Sequence, residues 1–285
     1  MEEPVRFQHY VPKCYLKNFS NSKRKESYIW VFDKEKQKIF SKNIKEIAKE
    51  EEFYNRVDEE QFIERGLRDI ETKFDEVVRK LILTKDIDEL NHYEKKILSE
   101  FIAYQMIRTK ETREEVRDTV RQIYDKLGSQ MAPDFKRQVV EAMDEESLRD
   151  IHKRMLGKIG EFQEIMIKMK WVLVVNKFES SYWCSDNPVI EYNSLGKLGL
   201  TSLGIQVYFP INSELCLILC DPIYFKQLPK EIVGTSKGIL FERELQTLYS
   251  TRFIFSKNSD FNIAKVTLEN NPKYKDPNRK RVKIN

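Results

Sequence analysis

The chain has 285 residues, 40% of them hydrophobic and 34% charged, with a net charge of +4. That amount of periodically placed apolar material is enough for a core and excludes a disordered chain. No apolar run reaches about eighteen residues, which excludes a membrane-spanning helix, and Met1-Glu2-Glu3-Pro4 lacks the pattern of a secretory leader, so a cytoplasmic protein is expected.

In chain order, Pro12 is placed to open a short helix with Tyr15, Leu16 and Phe19 on one face. Ser27 to Phe32 and Lys38 to Lys42 read as strands joined by a polar hairpin, Asp33 to Gln37. Asp33-Lys34-Glu35-Lys36 faintly resembles a nuclease carboxylate-lysine cluster, but its place at a hairpin tip predicts a solvated turn. Asn43 is a cap for a short helix to Lys49, and Glu52 to Tyr54 reads as extended. Asp58 is an N-cap for a helix carrying Ile63, Leu67, Ile70, Phe74, Val77 and Leu81 at spacings of three and four. A second helix starts near Leu90 and is expected to run through the charged stretch Thr109 to Gln122 toward Gly128. Pro133 opens a shorter one, and another spans about Glu145 to Lys168, weakened by Gly157 and Gly160.

From Trp171 the pattern turns to strands: Trp171 to Val175, Tyr182 to Ser185, Gln206 to Phe209 and Leu215 to Leu219. Cys216 and Cys220, four apart in a strand, share a face and read as buried small hydrophobes rather than a disulfide or zinc ligands. A helix follows, from about Lys237 to Ser250. The segment Asn271 to Asn285 carries a net +5, leaving −1 for the rest. It reads either as a frayed, solubilising terminus or as an arm for nucleic acid or another acidic partner. The expected architecture is α+β: a mixed or antiparallel sheet built from N- and C-terminal strands, packed against a central helical region. Residues 1–260 form a single domain with a helical insertion at about 58–169, and 261–285 form a basic C-terminal tail.

No glycine-rich phosphate loop, His-Glu-x-x-His or Gly-x-Ser-x-Gly is present. The candidates for chemistry are polar residues in apolar settings. His9 lies among aromatics before Pro12, suited to a general base or acid or to local backbone bonds. His92 and His152 sit in polar helical surroundings and are expected to be exposed. Gln105 and Arg108 continue the apolar stripe of Leu98, Phe101 and Ile102, so a guanidinium enters the core and needs an anionic partner, from the protein or from a ligand. Glu71 is a candidate partner. Asp186 and Asn187, in Ser185-Asp186-Asn187-Pro188, end an apolar strand, either projecting from the rim of a sheet or closing a turn on their own backbone.

These segments together resemble the family called domain of unknown function 4238. The resemblance rests on His9-Tyr10-Val11-Pro12 with Tyr15-Leu16-Lys17-Asn18-Phe19, then Ile29-Trp30-Val31-Phe32-Asp33, Glu52-x-Tyr54 and Gln105-x-x-Arg108-Thr109. It ends with Ser185-Asp186-Asn187-Pro188, Phe209-Pro210-Ile211 and Arg252-Phe253-Ile254. It covers roughly residues 7–256 and implies a shared fold, with His9, Pro12, Gln105, Arg108, Asp186 and Asn187 drawn into one spatial cluster. It supplies no reaction.

Two functions are open. One is a hydrolase acting on a phosphate-containing substrate, nucleic acid or nucleotide. His9 would be base or acid, and Arg108 and Gln105 would hold the phosphate. Asp186 would bind a divalent metal or orient His9, and Asn187 would bond the substrate. The other is a non-catalytic binding or regulatory module in which the same residues recognise an anionic ligand, with the charges of Lys110 to Arg121 as a solvated face or partner surface.

Overall fold

A computed structural model describes residues 6–23, 26–54 and 62–282. The N-terminal part holds β1 (Phe7–His9), α1 (Lys13–Leu16), β2 (Asn21–Lys23), β3 (Glu26–Asp33), β4 (Lys38–Asn43) and β5 (Lys49–Glu51). The helical region holds α2 (Phe62–Thr84), α3 (His92–Ile107), α4 (Lys110–Leu127), α5 (Pro133–Glu141), α6 (Glu145–Leu156) and α7 (Ile159–Lys168). The chain then forms β6 (Lys170–Val175), β7 (Cys184–Ser185), β8 (Ile190–Tyr192), β9 (Gln206–Pro210), β10 (Leu215–Cys220) and β11 (Glu231–Val233). It ends with α8 (Ser236–Tyr249), β12 (Phe253–Ser256) and α9 (Asn262–Asn270).

The α+β class holds, with the strands in three sheets among the described residues. β1 pairs with β5. One five-stranded sheet, in the order β11-β6-β10-β9-β8, is built wholly from the C-terminal half and is antiparallel except at β11–β6. The other joins the two ends of the chain: β3 carries β4 on one edge and β2 and β12 on the opposite edge, and β12 pairs in turn with β7. N- and C-terminal strands therefore meet in one of the sheets.

The core forms where α1, α2 and α3 meet β9. Leu67, Ile70, Phe74, Val77 and Leu81 form the buried stripe of α2, as their spacing requires. Phe74 stacks on Phe101 of α3, and Tyr15 stacks on Phe209 at 5.0 Å while its hydroxyl donates to the carbonyl of Pro210 at 2.7 Å. Cys216 and Cys220 are buried together on one face of β10 as free thiols.

Several local expectations give way. The expected continuous helix breaks at Arg108: Thr109 is extended and accepts from the Thr112 N–H, which restarts the chain as α4. The helix from Glu145 breaks at Gly157-Lys158. Asn43 caps only a single 3-10 turn, Ile44–Glu46. The Asp58 cap lies outside the described residues. Asp33 and Lys34 are buried rather than solvated, because β12 packs beside the hairpin and Arg252 pairs with Asp33 at 2.7 Å. His152 is buried: its Nε2 lies 2.8 Å from the Ile107 carbonyl and its Nδ1 lies 3.2 Å from Arg113. On α4, Glu111, Arg113, Glu114 and Asp118 are buried, so that charged face is packed rather than solvated.

The basic segment, as far as Val282, is folded onto the body. Phe261, Ala264 and Leu268 pack against Phe32, Trp183 and Ile254, and Arg279 is buried. Among the described residues no helix is long and apolar enough to cross a membrane.

Candidate functional site

The polar end of α3 is where the helix abuts β1. Arg108, 2% exposed, donates from Nη1 to Glu71 at 2.9 Å, from Nη2 to the His9 carbonyl at 2.6 Å and from Nε to the Tyr54 hydroxyl at 3.2 Å. The Tyr54 hydroxyl donates to the Arg108 carbonyl at 2.9 Å. Gln105 donates to the Tyr10 carbonyl at 3.0 Å, and its own side-chain oxygen is buried without a partner. The partner that the guanidinium requires is thus Glu71, and the fork clamps the N-terminal strand to two helices. Burial lowers the His9 imidazole to about 4, helped by Lys13, Lys49 and Arg108, against a backbone bond to Ile44. It is neutral at pH 7, and its Nε2 has no partner.

Asp186 and Asn187 join the same seam from the other side. Thr109, next to Arg108, donates to Asn187 Oδ1 at 3.1 Å, and Asn187 Nδ2 donates to the Tyr249 carbonyl at 3.1 Å. Asp186, 1% exposed, accepts the backbone N–H groups of Thr251, Arg252 and Phe253, each at 2.8 Å. It fastens the turn between α8 and β12. Burial raises its carboxyl, and the N–H groups of Phe253 and Arg252, with Lys34, pull it back. His9, Glu71, Gln105, Arg108, Asp186 and Asn187 therefore lie along one seam, held by protein partners, rather than around a shared opening. Among the described residues no three His, Cys, Asp or Glu side chains cluster as metal ligands.

Beside Asp186 lies a charge cluster that sequence reasoning did not identify. Lys34, fully buried, donates to the carbonyls of Thr247 and Ser250 at 2.8 and 2.6 Å, closing the C-terminus of α8. Glu111 pairs with Arg279 and, at 3.0 Å, with Arg281, and accepts from the Thr251 hydroxyl at 2.8 Å. The side chains of Arg279, Arg281 and Glu111 are 4%, 4% and 5% exposed. Lys34, Arg279 and Arg281 thus lie beside the carboxyl groups of Glu111 and Asp186. Burial lowers the Lys34 ammonium, Arg279 and Arg281 lower it further, and Asp186 and Glu111 oppose them. Arg279 Nη1 and Arg281 Nε are buried without partners. The only sequence signals were the Asp-Lys-Glu-Lys run and the Arg-x-Arg of the basic segment.

This cluster borders a cavity of about 380 Å³. Met106, Met155, Phe162, Val189 and Leu198 supply its apolar wall; Asn187, Tyr249, Glu111, Glu115 and Glu191 line it as well. Every cation in the lining, Lys273, Arg279, Lys280 and Arg281, comes from the basic segment. The carboxyl of Glu115 is pushed up to about 7, first by burial in the concave wall and then by Glu111. Its side chain is open to the cavity, and water there moderates the shift. Of the six sequence candidates, Asn187 lines this cavity.

A further ionisable group is buried under α8. Glu242, 1% exposed, is pushed up to about 8 by burial; one oxygen accepts the Trp183 N–H at 3.4 Å and the other has no partner. Burial there favours the neutral acid over the carboxylate.

No curated protein and no solved structure matches the chain. The model of one family, described as Protein of unknown function (DUF4238), matches residues 8–261, which is most of the length and takes in all six seam residues but neither Arg279 nor Arg281, and the chain belongs to that family.

Proposed function

We propose that the chain is a binding module that recognises a small anionic molecule in the 380 Å³ cavity, its charged group against the Arg279–Arg281 wall and its apolar part against Met106, Met155 and Phe162. The observation that carries this reading is that Arg279 and Arg281 line the cavity and each keeps one buried nitrogen, Nη1 and Nε, without a partner. A buried donor without an acceptor costs about 1–3 kcal/mol, and an anion drawn into the site would supply one. Arginine forks suit a phosphate or carboxylate. The free thiols fit a cytoplasmic, reducing setting.

The hydrolase reading keeps one supporting observation, the unpartnered Nε2 of His9. Against it stand the backbone bonds that occupy Asp186 and the protein partners that occupy Arg108. One experiment separates the two. The protein is titrated with inorganic phosphate and with nucleotides by calorimetry, then incubated with labelled RNA, DNA and nucleotides, with and without magnesium or manganese. Retention without turnover, lost in Arg279→Gln, supports the binding module. Turnover that vanishes in His9→Ala and Asp186→Ala refutes it in favour of the hydrolase.

A further inference from the structure

The segment Pro277 to Val282, beyond the residues matched by the family, runs along one face of α4. Glu111, Asp118 and Gln122 are seven and four residues apart, which puts them on that face. Each addresses the segment. Glu111 takes the guanidinium groups of both Arg279 and Arg281. Asp118 Oδ2 accepts the backbone N–H of Arg281 at 2.8 Å and of Val282 at 3.1 Å. Gln122 Nε2 donates to the Val282 carbonyl at 2.6 Å. Two helix side chains read main chain, and a third reads arginines two positions apart. Extended peptides are recognised in this way, with main-chain bonds for grip and side-chain sites for selectivity.

The grip is almost wholly polar. Two cavities border the segment: the one of 380 Å³, and one of about 90 Å³ lined by Glu114, Arg117, Asp118 and Arg121 of α4, with Arg279 and Arg281 in the lining of both. Between Pro277 and Val282 the segment carries no aromatic or long aliphatic anchor. Its departure would uncover acidic side chains of α4 rather than the apolar core.

We infer that this face of α4 is a docking groove for an extended Arg-x-Arg peptide presented by another protein, filled in this state by the chain's own residues 277–282. The internal occupant competes at an effective concentration on the order of 1 mM, so the intact protein holds an added peptide weakly, and a chain whose own segment is expelled holds it well. Charge complementarity selects the occupant: arginine rather than lysine, because Glu111 receives two guanidinium groups. The inference shares Arg279 and Arg281 with the proposed anion site, but its test is read without phosphate and stands whether or not that site holds an anion.

The test uses a fluorescent peptide of residues 271–282 and full-length proteins. Anisotropy should show at least tenfold tighter binding to Arg279→Glu/Arg281→Glu than to the native chain. Binding should weaken with a peptide carrying lysine at both arginine positions, and vanish when Glu111→Gln and Asp118→Asn are added to the protein. A folded double-arginine variant that does not bind the peptide overturns the inference. Should that variant not fold, amide exchange in the native protein decides. Exchange of the Arg281 and Val282 amides by local opening, accelerated by added peptide, upholds the groove; exchange only on global unfolding overturns it.

Discussion

Replacing Asp186 by asparagine preserves volume and removes charge. The carboxylate holds three backbone N–H groups, Thr251 on Oδ1 and both Arg252 and Phe253 on Oδ2. With the amide oxygen turned toward Arg252 and Phe253, the Thr251 N–H faces an NH₂ group; turned the other way, two N–H groups lose their acceptor. At least one buried donor is orphaned, which costs about 1–3 kcal/mol, and the surviving bonds lose charge assistance, roughly half their strength. Lys34, Arg279 and Arg281 are left with Glu111 alone. The expected loss is about 3 kcal/mol. For a chain of this size that lowers the melting temperature by roughly 6–12 °C, to be measured by calorimetry at pH 7 beside the native protein. A carboxylate kept for chemistry behaves oppositely, since neutralising a buried charge at an active site tends to leave stability unchanged or raised. A variant that melts with the native protein would refute the turn-fastening role assigned to Asp186.

Each buried titratable group gives stability its own dependence on pH. His9 and His152 sit near 4 in the fold against 6.5 when unfolded, so between these values the unfolded chain binds more protons and stability rises with pH. Glu242 sits near 8 against 4.5, so there the fold keeps the proton and stability falls as pH rises. The urea midpoint of the native protein should therefore fall relative to that of Glu242→Gln as pH rises from 4.5 to 8. Arg108→Leu strips Glu71, the His9 carbonyl and the Tyr54 hydroxyl of a shared donor and should cost about 3–5 kcal/mol, while Glu71→Gln, at the more exposed end of the pair, should cost about 1 kcal/mol, both read from urea unfolding. Tyr15→Phe removes only the bond to the Pro210 carbonyl and should cost about 1 kcal/mol by the same measurement.

Patterns that repeat along the chain were legible before any coordinates. The three-and-four spacing from Leu67 to Leu81, the apolar run from Leu215 to Cys220 and the family motifs from His9 to Ile254 identified the α+β class and the buried faces. Each residue's place there follows from its near neighbours and from one requirement, removal of apolar surface from water. Arg108 was likewise readable as a buried cation in need of a carboxylate, and Glu71 as its partner.

Only the tertiary structure decided what the polar residues do. Lys34 lies in a run that reads as a solvated turn, and nothing within a few positions signals that the end of α8 covers it. Glu111 and Asp118 look like surface charges until residues 277–282 return across α4. Electrostatic partners are chosen by distance in space, and the residues that pair here stand 168 positions apart for Glu111 and Arg279 and 219 for Asp33 and Arg252. A periodic pattern carries no information over such separations, so the seam, the charge cluster and the cavity emerge only once the chain has folded.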